Sequence, residues 1–554
     1  MKRRRKDVKI FLLDWSCVSE FLIKGEKGLI KTDITVSVGY TAEDIKTALT
    51  ERLPIEKGEI GEICILKECL SVSSDGGIGY KLTVGASFSE DREAGLLKMK
   101  KKVSKAPDYS LDIPRSKLKN RPVIIGSGPA GLFAALILSE AGANPIIIER
   151  GLSVDERIKK VNEFNLTGRL DTECNVQFGE GGAGTYSDGK LKCGSMDSVK
   201  RYILSAFVDA GATSDIMYSS SAHLGTDKLS SIVKNLRERM ISLGAEFIFG
   251  AKMTDFKLRD GRVYSVEYEK NGEKVTLGAE KLILATGHSA HDVFALLLSK
   301  NLSMVAKGFG IGVRAEHPRE YIDNLVYGKN HDSRLGSASY HLVTHLPNGR
   351  SVYSFCMCPG GTVVAATSSH GRVVTNGMSE YSRMADNSNA AILVSVTPED
   401  FDSASPLAGI EYQKKIEEKV FGIGAAYRAP AMRLSELYGD SIGAFGSVLP
   451  SYPRGTVRAN ASEYLPDFIT DSLRAGFLDF DKWMPGYALS DAVLTGAETR
   501  STSPVRILRT ESFEAVGISG LYPVGEGAGY AGGIISSAKD GATCALSILN
   551  EDIL

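Results

Sequence analysis

The stretch RPVIIGSGPAGLFAALILSEAGANPIIIERG, at residues 121–151, constrains the fold more than any other part of the chain. A short apolar run, a turn holding Gly126, Gly128 and Gly131, an apolar helix and a second apolar run ending in Glu149 predict a β-α-β unit. In such a unit the first glycine permits a tight turn, the second lets a pyrophosphate approach the backbone, and the third lets the helix pack on the strand. Glu149 is placed to accept hydrogen bonds from a ribose. The stretch therefore predicts dinucleotide binding in an α/β fold.

The glycine pattern alone is weak, because it occurs twice more, as GEGGAG at 179–184 and GAGYAG at 527–532. Neither copy lies between a predicted strand and a helix that leads to a second strand ending in an acid. Only the first copy is therefore assigned to a dinucleotide, and a purely structural turn is the alternative there.

Length and composition describe an ordinary large globular protein. The 554 residues allow several domains of roughly 150 residues each. A formal net charge of -1, with 24% charged residues, excludes a global field for nucleic acid or membranes. The sequence contains no apolar run of about 18 residues, so no transmembrane helix is predicted. Eight cysteines without regular spacing are typical of reduced thiols, and we expect a cytoplasmic protein.

The first part of the chain has a different pattern. The segments ITVSV, AEDIKTALTERL, EICILKECLSV and YKLTVGASF predict strand, helix, strand and strand, and hence a small α+β N-terminal domain over residues 1–105. Residues 106–120, within a stretch rich in Lys and Arg, are predicted to be a basic linker. Contact with RNA or an anionic surface is the alternative interpretation of this stretch.

Two later blocks fit the α/β domain. KLILATGHSA, at 281–290, predicts a buried strand that ends at Thr286 and Gly287. LYPVGEGAGYAGGIISSAKDGATCALSIL, at 521–549, predicts a strand, a glycine-rich turn around Glu526 and a terminal helix with one apolar face. An amphipathic helix and antiparallel strands are predicted before the first of these blocks.

These blocks, in this order, resemble the glutathione-reductase-type FAD flavoproteins. Further stretches resemble a bacterial family known as FAD-dependent dehydrogenases, or NAD(P)/FAD-dependent oxidoreductases. They are NVQFGEGGAGTYSDGKL (175–191), GFGIGVRAEHPRE (308–320), FCMCPGGTVVAATS (355–368), SVTPEDFDS (395–403), YRAP (427–430), STSPVR (501–506) and VGEGAGYAGGI (524–534). The resemblance covers most of the chain. It implies a Rossmann-like FAD-binding domain formed by residues 121–300 and 501–554, with a mixed-sheet α+β substrate or cap domain inserted at 301–500.

The resemblance also implies which residues bind FAD. The three glycines of the first turn would hold the pyrophosphate, Glu149 the adenosine ribose, and Arg150 would lie near the adenine. Glu526, where related flavoproteins usually have Asp, would meet the ribityl chain or the pyrophosphate. The complete predicted set is Gly126, Gly128, Pro129, Ala130, Gly131, Glu149, Arg150, Gly182, Thr286, Gly287, Gly525, Glu526, Gly533 and Ile534.

Two candidate catalytic cysteines occur in FCMCPGG, at 355–361. The segment is predicted to be a hairpin corner, with Cys356 and Cys358 on one face of a strand. Their Cα atoms would then be about 6.5 Å apart, near the upper limit for a disulfide. A redox or substrate-contact role near the flavin, half of a metal site, and plain packing are the alternatives. Two thiolates do not complete a zinc site, so no metal is predicted.

His317 is the third candidate catalytic residue, as a general acid near neutral pH. Other histidines are candidate acids, with a structural role as the alternative, and two basic residues could bind an anionic substrate, with ordinary surface charge as the alternative. They are His288, His341 and His345, and the basic residues Lys190 and Arg314.

We therefore expect an FAD-dependent oxidoreductase, a dehydrogenase or reductase that transfers hydride between an unidentified organic substrate or NAD(P)H and the flavin. The sequence has no second glycine-rich fingerprint followed by an acid, so NAD(P)H would be a transient donor without its own Rossmann domain. One alternative is an RNA-associated flavoprotein of the tRNA-modification type. Another is a flavin electron-transfer protein without a small substrate. The expected partner is a small molecule, nucleic acid is not expected, and the oligomeric state is left open.

Overall fold

The computed structural model describes residues 29–73, 76–99, 102–192 and 194–551. The first 28 residues of the predicted N-terminal domain thus lie outside the described residues. The chain divides into two compact units. One comprises residues up to 111 together with 196–205 and 213–220, and the other comprises the remainder.

The first unit is α+β, as the sequence predicts. Its elements are β1 (Ile30–Ser37), α1 (Ala42–Arg52), β2 (Ile63–Val72), β3 (Ile78–Ala86), α2 (Glu90–Leu97) and β4 (Ser104–Lys105). The strands form one antiparallel sheet in the order β2-β3-β1-β4. Helix α1 begins at a capping box, in which the Thr41 hydroxyl accepts from the Asp44 N–H and the Asp44 carboxylate accepts from the Thr41 N–H.

The second unit begins with the predicted β-α-β unit. Its first strands are β5 (Val123–Ile125), β6 (Ile146–Glu149), β7 (Glu246–Phe249), β8 (Ala251–Arg259), β9 (Arg262–Lys270), β10 (Glu273–Gly278) and β11 (Leu282–Leu284). The helices in this stretch of the chain are α3 (Pro129–Glu140), α4 (Val154–Thr167), α5 (Ser198–Asp209), α6 (Thr226–Ser242) and α7 (His291–Ser299). Most of α5, up to residue 205, belongs to the first unit. Strands β8, β9 and β10 form the predicted antiparallel meander. Strands β5, β6, β7 and β11 run parallel in a sheet that a strand near the end of the chain completes.

The rest of the second unit contains further strands, most of which form a mixed sheet. They are β12 (Met304–Ala306), β13 (Phe309–Pro318), β14 (Val343–His345), β15 (Ser351–Cys358), β16 (Thr362–Ala365), β17 (Thr375–Met378), β18 (Asn387–Val396), β19 (Ala429–Arg433), β20 (Thr456–Arg458), β21 (Val493–Glu498), β22 (Val505–Ile507) and β23 (Leu521–Pro523). Seven of them form a sheet in the order β14-β15-β18-β13-β21-β19-β20, in which only the β19–β20 pair is parallel. The last strand, β23, pairs with β11 and completes the five-stranded parallel sheet, in the order β23-β11-β5-β6-β7.

The remaining helices cover these sheets. They are α8 (Arg319–Tyr327), α9 (Ala408–Gly424), α10 (Leu434–Leu437), α11 (Asp467–Trp483) and α12 (Ile534–Glu551). Helix α12 packs closely on α3 at Gly541, where an added Cβ would lie 2.0 Å from the carbonyl oxygen of Ala130. The apolar face predicted for this helix is confirmed by the burial of Ile534, Ala538, Ala542, Ala545 and Leu549.

The prediction that FCMCPGG is a hairpin corner is wrong. Strand β15 ends at Cys358 and pairs with β14 and β18, whereas β16 begins at Thr362 and pairs with β17. The two glycines of this turn pack closely against other backbone. A Cβ on Gly360 would lie within 2 Å of the carbonyl oxygen of Arg383, and one on Gly361 2.2 Å from that of Met378.

Residues 106–120 contain no helix or strand. In the described ranges, no helix has both the length and the apolar character that crossing a membrane requires. Within those same ranges, no cluster of three or more His, Cys, Asp or Glu side chains is arranged to hold a metal ion.

Candidate active site

One cavity in the second unit gathers most of the residues predicted to bind a cofactor. It has a volume of about 380 Å³ and lies at the carboxyl ends of β5, β6, β11 and β23. Ligands bind at this edge of parallel α/β sheets, because the turns into the following helices present free backbone N–H groups. The predicted residues on its wall are Gly126, Gly128, Pro129, Ala130, Glu149, Arg150, Gly182, Thr286, Gly287, Cys356, Gly525, Glu526, Gly533 and Ile534.

The three glycines of the first turn have separate roles. Gly126 adopts φ +99, and an added Cβ would lie 2.4 Å from the carbonyl oxygen of Ala285. A Cβ on Gly131 would lie 2.0 Å from the carbonyl oxygen of Gly126, so this glycine lies in the packing contact and not on the cavity wall. Gly128 caps α3 with an extended backbone, and its Cβ would have no neighbour nearer than 3.8 Å. Gly128 therefore presents bare backbone to the cavity at a helix N-terminus.

Glu149, at the end of β6, is held by four hydrogen bonds. Its Oε2 accepts from the N–H and the hydroxyl of Ser127, both at 2.8 Å. Its Oε1 accepts from the N–H of Gly151 at 2.9 Å and that of Gly179 at 3.0 Å. The carboxylate thus joins the first glycine turn to the later loop that contains Gly179, while it also lines the cavity.

Arg150 follows Glu149 and is fixed from two sides. Its guanidinium lies 4.5 Å from the ring centroid of Phe178, and its Nη2 lies 2.8 Å from Oδ2 of Asp292. Burial acts to raise the pKa of Asp292, but the positive charge and hydrogen bonds of Arg150 hold it below its ordinary value. Arg150 therefore contributes an oriented, partly neutralised cation to the cavity wall.

Arg157 is a residue that sequence reasoning missed. This fully buried side chain, on α4, donates to the carbonyl oxygens of Asn175, Val176, Gly179 and Glu180 at 2.6 to 3.3 Å. It therefore fixes the glycine-rich loop, including Gly179, in a shape that places the next residues on the cavity wall. No motif marks Arg157, because its partners are backbone atoms.

The C-terminal turn completes this part of the wall. Burial raises the pKa of Glu526 from its ordinary value of 4.5 to about 7, although the positive charge of Lys307 acts in the opposite direction. Within the described part of the chain, no group donates a hydrogen bond to the Glu526 carboxylate. Gly533 and the start of α12 follow on the wall, and an added Cβ on Gly533 would meet only the Ser536 hydroxyl, at 3.9 Å.

A second part of the cavity wall comes from the segment that contains the mixed sheet. Its residues are Phe355, Cys356, Asn376, Glu498, Arg500 and Ser501. Lys190, from the loop before α5, also lines the cavity and donates to the carbonyl oxygen of Met357. The cavity therefore brings charged and polar side chains of the mixed sheet to the glycine turns of the α/β sheet.

Glu498 on this wall is backed by a buried cation. Arg314 is fully buried, and its Nη1 lies 2.9 Å from Oε2 of Glu498. The same guanidinium donates to Asn389 Oδ1 at 2.9 Å and to the carbonyl oxygen of Cys356 at 2.6 Å. Burial raises the pKa of Glu498 to about 7 despite Arg314. Arg314 itself does not reach the cavity, so the predicted direct contact with an anionic substrate is not supported.

Arg500 forms a second buried pair. Its Nη2 lies 2.7 Å from Oε2 of Glu417, and its Nη1 donates to the hydroxyls of Ser289 at 3.1 Å and Ser368 at 2.9 Å. Burial, followed by the positive charge of Arg500, lowers the pKa of His288 on the same wall to about 4. His288 is therefore neutral near pH 7 and is not a proton donor there.

Cys356 lies at an irregular point of β15. The pairing moves from Phe355 opposite Ala391 to Cys358 opposite Asn389, so β15 carries one extra residue, and Cys356 adopts φ +41. Such a left-handed conformation costs about 1 to 3 kcal/mol for a residue with a side chain, and strained residues of this kind cluster at functional sites. The regular alternation assumed from the sequence therefore fails at this position.

The second cysteine, Cys358, lies behind the cavity wall and is fully buried. A hydrogen bond from its thiol, followed by the positive charge of Arg314, lowers the pKa of Cys356. Burial raises the pKa of Cys358 itself. The surroundings therefore act differently on the two thiols, because they lower the pKa of the one at the cavity and raise that of the buried one.

The other predicted catalytic residue, His317, does not reach the cavity. Its Nε2 lies 2.9 Å from the carbonyl oxygen of Tyr487, and burial lowers its pKa to about 4. This environment does not fit a general acid near neutral pH, and His317 is a buried structural residue. His341 and His345 are exposed and lie outside the cavity wall.

Segments from both parts of the cavity wall match known protein families. Residues 121–157 match a family described as "FAD binding domain", and residues 308–501 match one described as "FAD-dependent protein, C-terminal domain-like". An uncharacterized protein of Clostridium beijerinckii is 41% identical over 526 residues, which are 94% of this chain and 98% of the relative. The chain belongs to this family of FAD-dependent proteins. This FAD-dependent protein is a flavoprotein of the oxidoreductase type, and its cofactor is FAD.

More distant relatives cover less of the FAD-dependent protein. Protein FixC of Salmonella typhi is 27% identical over 214 residues, which are 36% of this chain and 44% of FixC. Among solved structures, an Escherichia coli quinol fumarate reductase FrdA variant is 13% identical with a TM-score of 0.35, and covers 78% of this chain and 70% of that one. A 3-ketosteroid-delta4-(5alpha)-dehydrogenase of Rhodococcus jostii is 13% identical with a TM-score of 0.32, and the match covers 79% of this chain and 99% of that one. At these TM-scores the likeness carries no information about the reaction.

The cavity of the FAD-dependent protein fits FAD. Gly128, Gly287 and Gly532 have no atom within about 3.8 Å of an added Cβ, so bare backbone faces the space that a large ligand needs. The N-termini of α3 and α12 both reach the wall, and a helix N-terminus offers N–H groups and a partial positive charge that favour an anionic group such as a phosphate. The carboxylate of Glu526, without a donor in the described chain, is available for a ligand hydroxyl.

Proposed function

We propose that the protein is a dehydrogenase or reductase, which transfers hydride between its FAD and either NAD(P)H or an organic substrate. The observation that carries this proposal is the composite wall of the cavity. Glycine turns from the parallel sheet line one part, and Cys356, Glu498 and Arg500 from the mixed-sheet segment line another. A cavity that only stored a cofactor would not need several charged side chains from a second sheet.

We propose a glutathione-reductase-type arrangement of FAD along this cavity. The turn from Gly126 to Gly131, with Pro129 and Ala130, would hold the pyrophosphate, supported by the open backbone at Gly128. Glu149 would meet the adenosine ribose, and Arg150 would pack beside the adenine. The other proposed contacts are Gly182, Thr286, Gly287, Gly525, Glu526, Gly533 and Ile534, all of which line the cavity.

FAD supplies the hydride chemistry, and the protein supplies orientation and electrostatics. The N-terminus of α12 contributes a partial positive charge where Gly533 and Ile534 line the cavity. Such a charge stabilises the negative charge that a flavin gains on reduction. Lys190 holds the Met357 carbonyl and so orients the wall next to Cys356.

A nicotinamide donor would enter the same cavity, because the sequence has only one complete dinucleotide fingerprint. An anaerobic titration with NADH and then NADPH tests the proposal. The readout is the absorbance of the oxidised flavin at about 450 nm, which is lost when the flavin is reduced. Rapid bleaching by one nucleotide supports a nicotinamide-linked reductase. Bleaching by neither, but by a supplied organic substrate, supports a dehydrogenase. If dithionite reduces the flavin but none of the tested nicotinamide nucleotides or organic substrates does, the proposal is contradicted.

A further inference from the structure

Two thiols separated by one residue meet at the cavity wall. Cys356 lines the cavity, and Cys358 is buried behind it. The Cys358 thiol donates to the carbonyl oxygen of Cys356 at 3.2 Å. The Cys358 thiol therefore lies against the backbone of the residue that carries the other thiol.

The extra residue in β15 accounts for this proximity. The left-handed backbone of Cys356 interrupts the ordinary course of the strand, and both cysteines lie at this interruption. A residue with a β-carbon is strained in this conformation, and the glycine that would relieve the strain is absent. The strain is consistent with a requirement for a sulfur atom at this position.

Cations surround the pair. Nη2 of Arg314 donates to Cys358 Sγ at 3.4 Å and to the carbonyl oxygen of Cys356 at 2.6 Å. Lys190 donates to the carbonyl oxygen of Met357, the residue between the two cysteines. Positive charge of this kind stabilises a thiolate, which is the reactive form in thiol–disulfide exchange.

We propose that Cys356 and Cys358 are a redox-active dithiol that exchanges two electrons with the bound FAD. In the oxidising direction the two thiols lose two protons and two electrons, and a bond forms between their sulfur atoms. The FAD would take up the two electrons and one of the protons, and the other proton would go to solvent. In the other direction reduced FAD would return the two electrons and its proton, solvent would supply the second proton, and the sulfur–sulfur bond would break to give two thiols.

This inference rests on the proposed function, because FAD is the electron partner, and it adds a substrate class. Cys356, at the cavity, is the sulfur that exchanges with an external thiol or disulfide, and the buried Cys358 resolves the mixed disulfide. The substrate is therefore a thiol or disulfide compound that enters the cavity.

Peptide mapping of the holoenzyme tests the pair. Trypsin releases residues 351–372 as one peptide, in which Cys356 and Cys358 are the only cysteines. In holoenzyme with oxidised FAD we expect this peptide to resist alkylation and to carry an internal disulfide. After anaerobic reduction it should carry two alkyl groups. Two alkylated thiols in holoenzyme whose FAD is fully oxidised would overturn the proposal.

An anaerobic dithionite titration gives a second readout. The wild-type holoenzyme should take up about four electrons per FAD, two for the flavin and two for the disulfide. Cys356→Ser and Cys358→Ser should each take up about two. The control Cys69→Ser changes a half-buried thiol of the first unit and should behave as wild type. A wild-type endpoint of about two electrons would overturn the proposal.

The two proposals fail in different ways. If NAD(P)H or a substrate bleaches the flavin while the peptide keeps two free thiols, the dithiol is wrong and the oxidoreductase stands. If no donor except dithionite reduces the flavin, the oxidoreductase is wrong. The same peptide, mapped after equilibration in buffers of oxidised and reduced glutathione, then still tests the dithiol. A disulfide between Cys356 and Cys358 at an oxidising ratio of the two glutathione forms supports the dithiol, and free thiols at every ratio overturn it. This measurement does not need either serine variant to fold.

Discussion

Arg314 and Glu498 form a buried ion pair, with Nη1 2.9 Å from Oε2, in which only the glutamate reaches the cavity wall. The pair joins β13 to β21 across the mixed sheet. Arg314 also holds the carbonyl oxygen of Cys356, so one cation fixes two neighbouring parts of the wall. The shape of this wall therefore depends on a residue that a ligand does not contact.

Replacement of Arg314 by Met should destabilise the protein strongly. The change leaves Glu498 buried without its partner, and breaking a buried pair costs about 3 to 5 kcal/mol. Denaturant-induced unfolding measures the loss. The matched control is Lys415→Met, which removes an exposed pair with Asp402 and should cost less than about 1 kcal/mol. Equal losses in the two variants would contradict the assigned role of Arg314.

Gly128→Val should lose FAD without losing the fold. The backbone at Gly128 is extended, a conformation that valine accepts, and an added Cβ has no neighbour nearer than 3.8 Å. The side chain would instead fill the space assigned to the pyrophosphate. Flavin absorbance per chain after purification measures retention, and circular dichroism reports the fold. Gly278→Val, at the open end of β10, is the control and should stay fully loaded. A yellow, fully loaded Gly128→Val protein would refute the site.

Arg157→Met should disrupt the loop that follows it. Four carbonyl oxygens lose their donor, and each buried group left unsatisfied costs about 1 to 3 kcal/mol. We expect a clear fall in the free energy of unfolding and weaker FAD retention, measured by denaturation and by equilibrium dialysis. Arg169→Met, at a side chain that is 82% exposed, should change neither quantity. Unchanged FAD affinity in Arg157→Met would show that the loop does not need this support.

Glu526 should make the stability of the FAD-free protein depend on pH. Its pKa in the folded state, about 7, is higher than its ordinary 4.5, so the folded protein holds this proton more tightly than the unfolded chain. The stabilising contribution is fully present below 4.5 and is lost as pH rises through about 7. As pH rises from 4.5 to about 7, the free energy of unfolding should therefore fall less in Glu526→Gln than in wild type, as measured by denaturation at several pH values. Glu320→Gln, at a side chain that is 84% exposed, should follow wild type, and a parallel curve for Glu526→Gln would contradict the assignment.

Local pattern was enough to predict the α/β part of the site. Gly126, Gly131 and Glu149 belong to one β-α-β unit, in which turn, helix and strand follow each other and each residue acts on its neighbours. The same holds for the apolar face of α12, which helical periodicity predicts from one segment.

The mixed-sheet part of the site depends on partners distant in sequence. Arg500 pairs with Glu417, 83 residues earlier, and no spacing rule connects them. The irregularity at Cys356 arises from pairing with β18, which begins only at residue 387, so the strand pattern of FCMCPGG could not predict it. His317 was selected for its ordinary pKa, whereas its burial is a property of the assembled sheet.

A crystal structure of the holoenzyme tests the central claim most directly. We predict density for one FAD per chain, with its pyrophosphate at the turn of Gly126 and Gly128 and its isoalloxazine ring in the part of the cavity lined by Cys356 and Gly533. FAD bound elsewhere, or a ring that does not reach the wall formed by Cys356 and Glu498, would contradict both the proposed site and the reaction assigned to it.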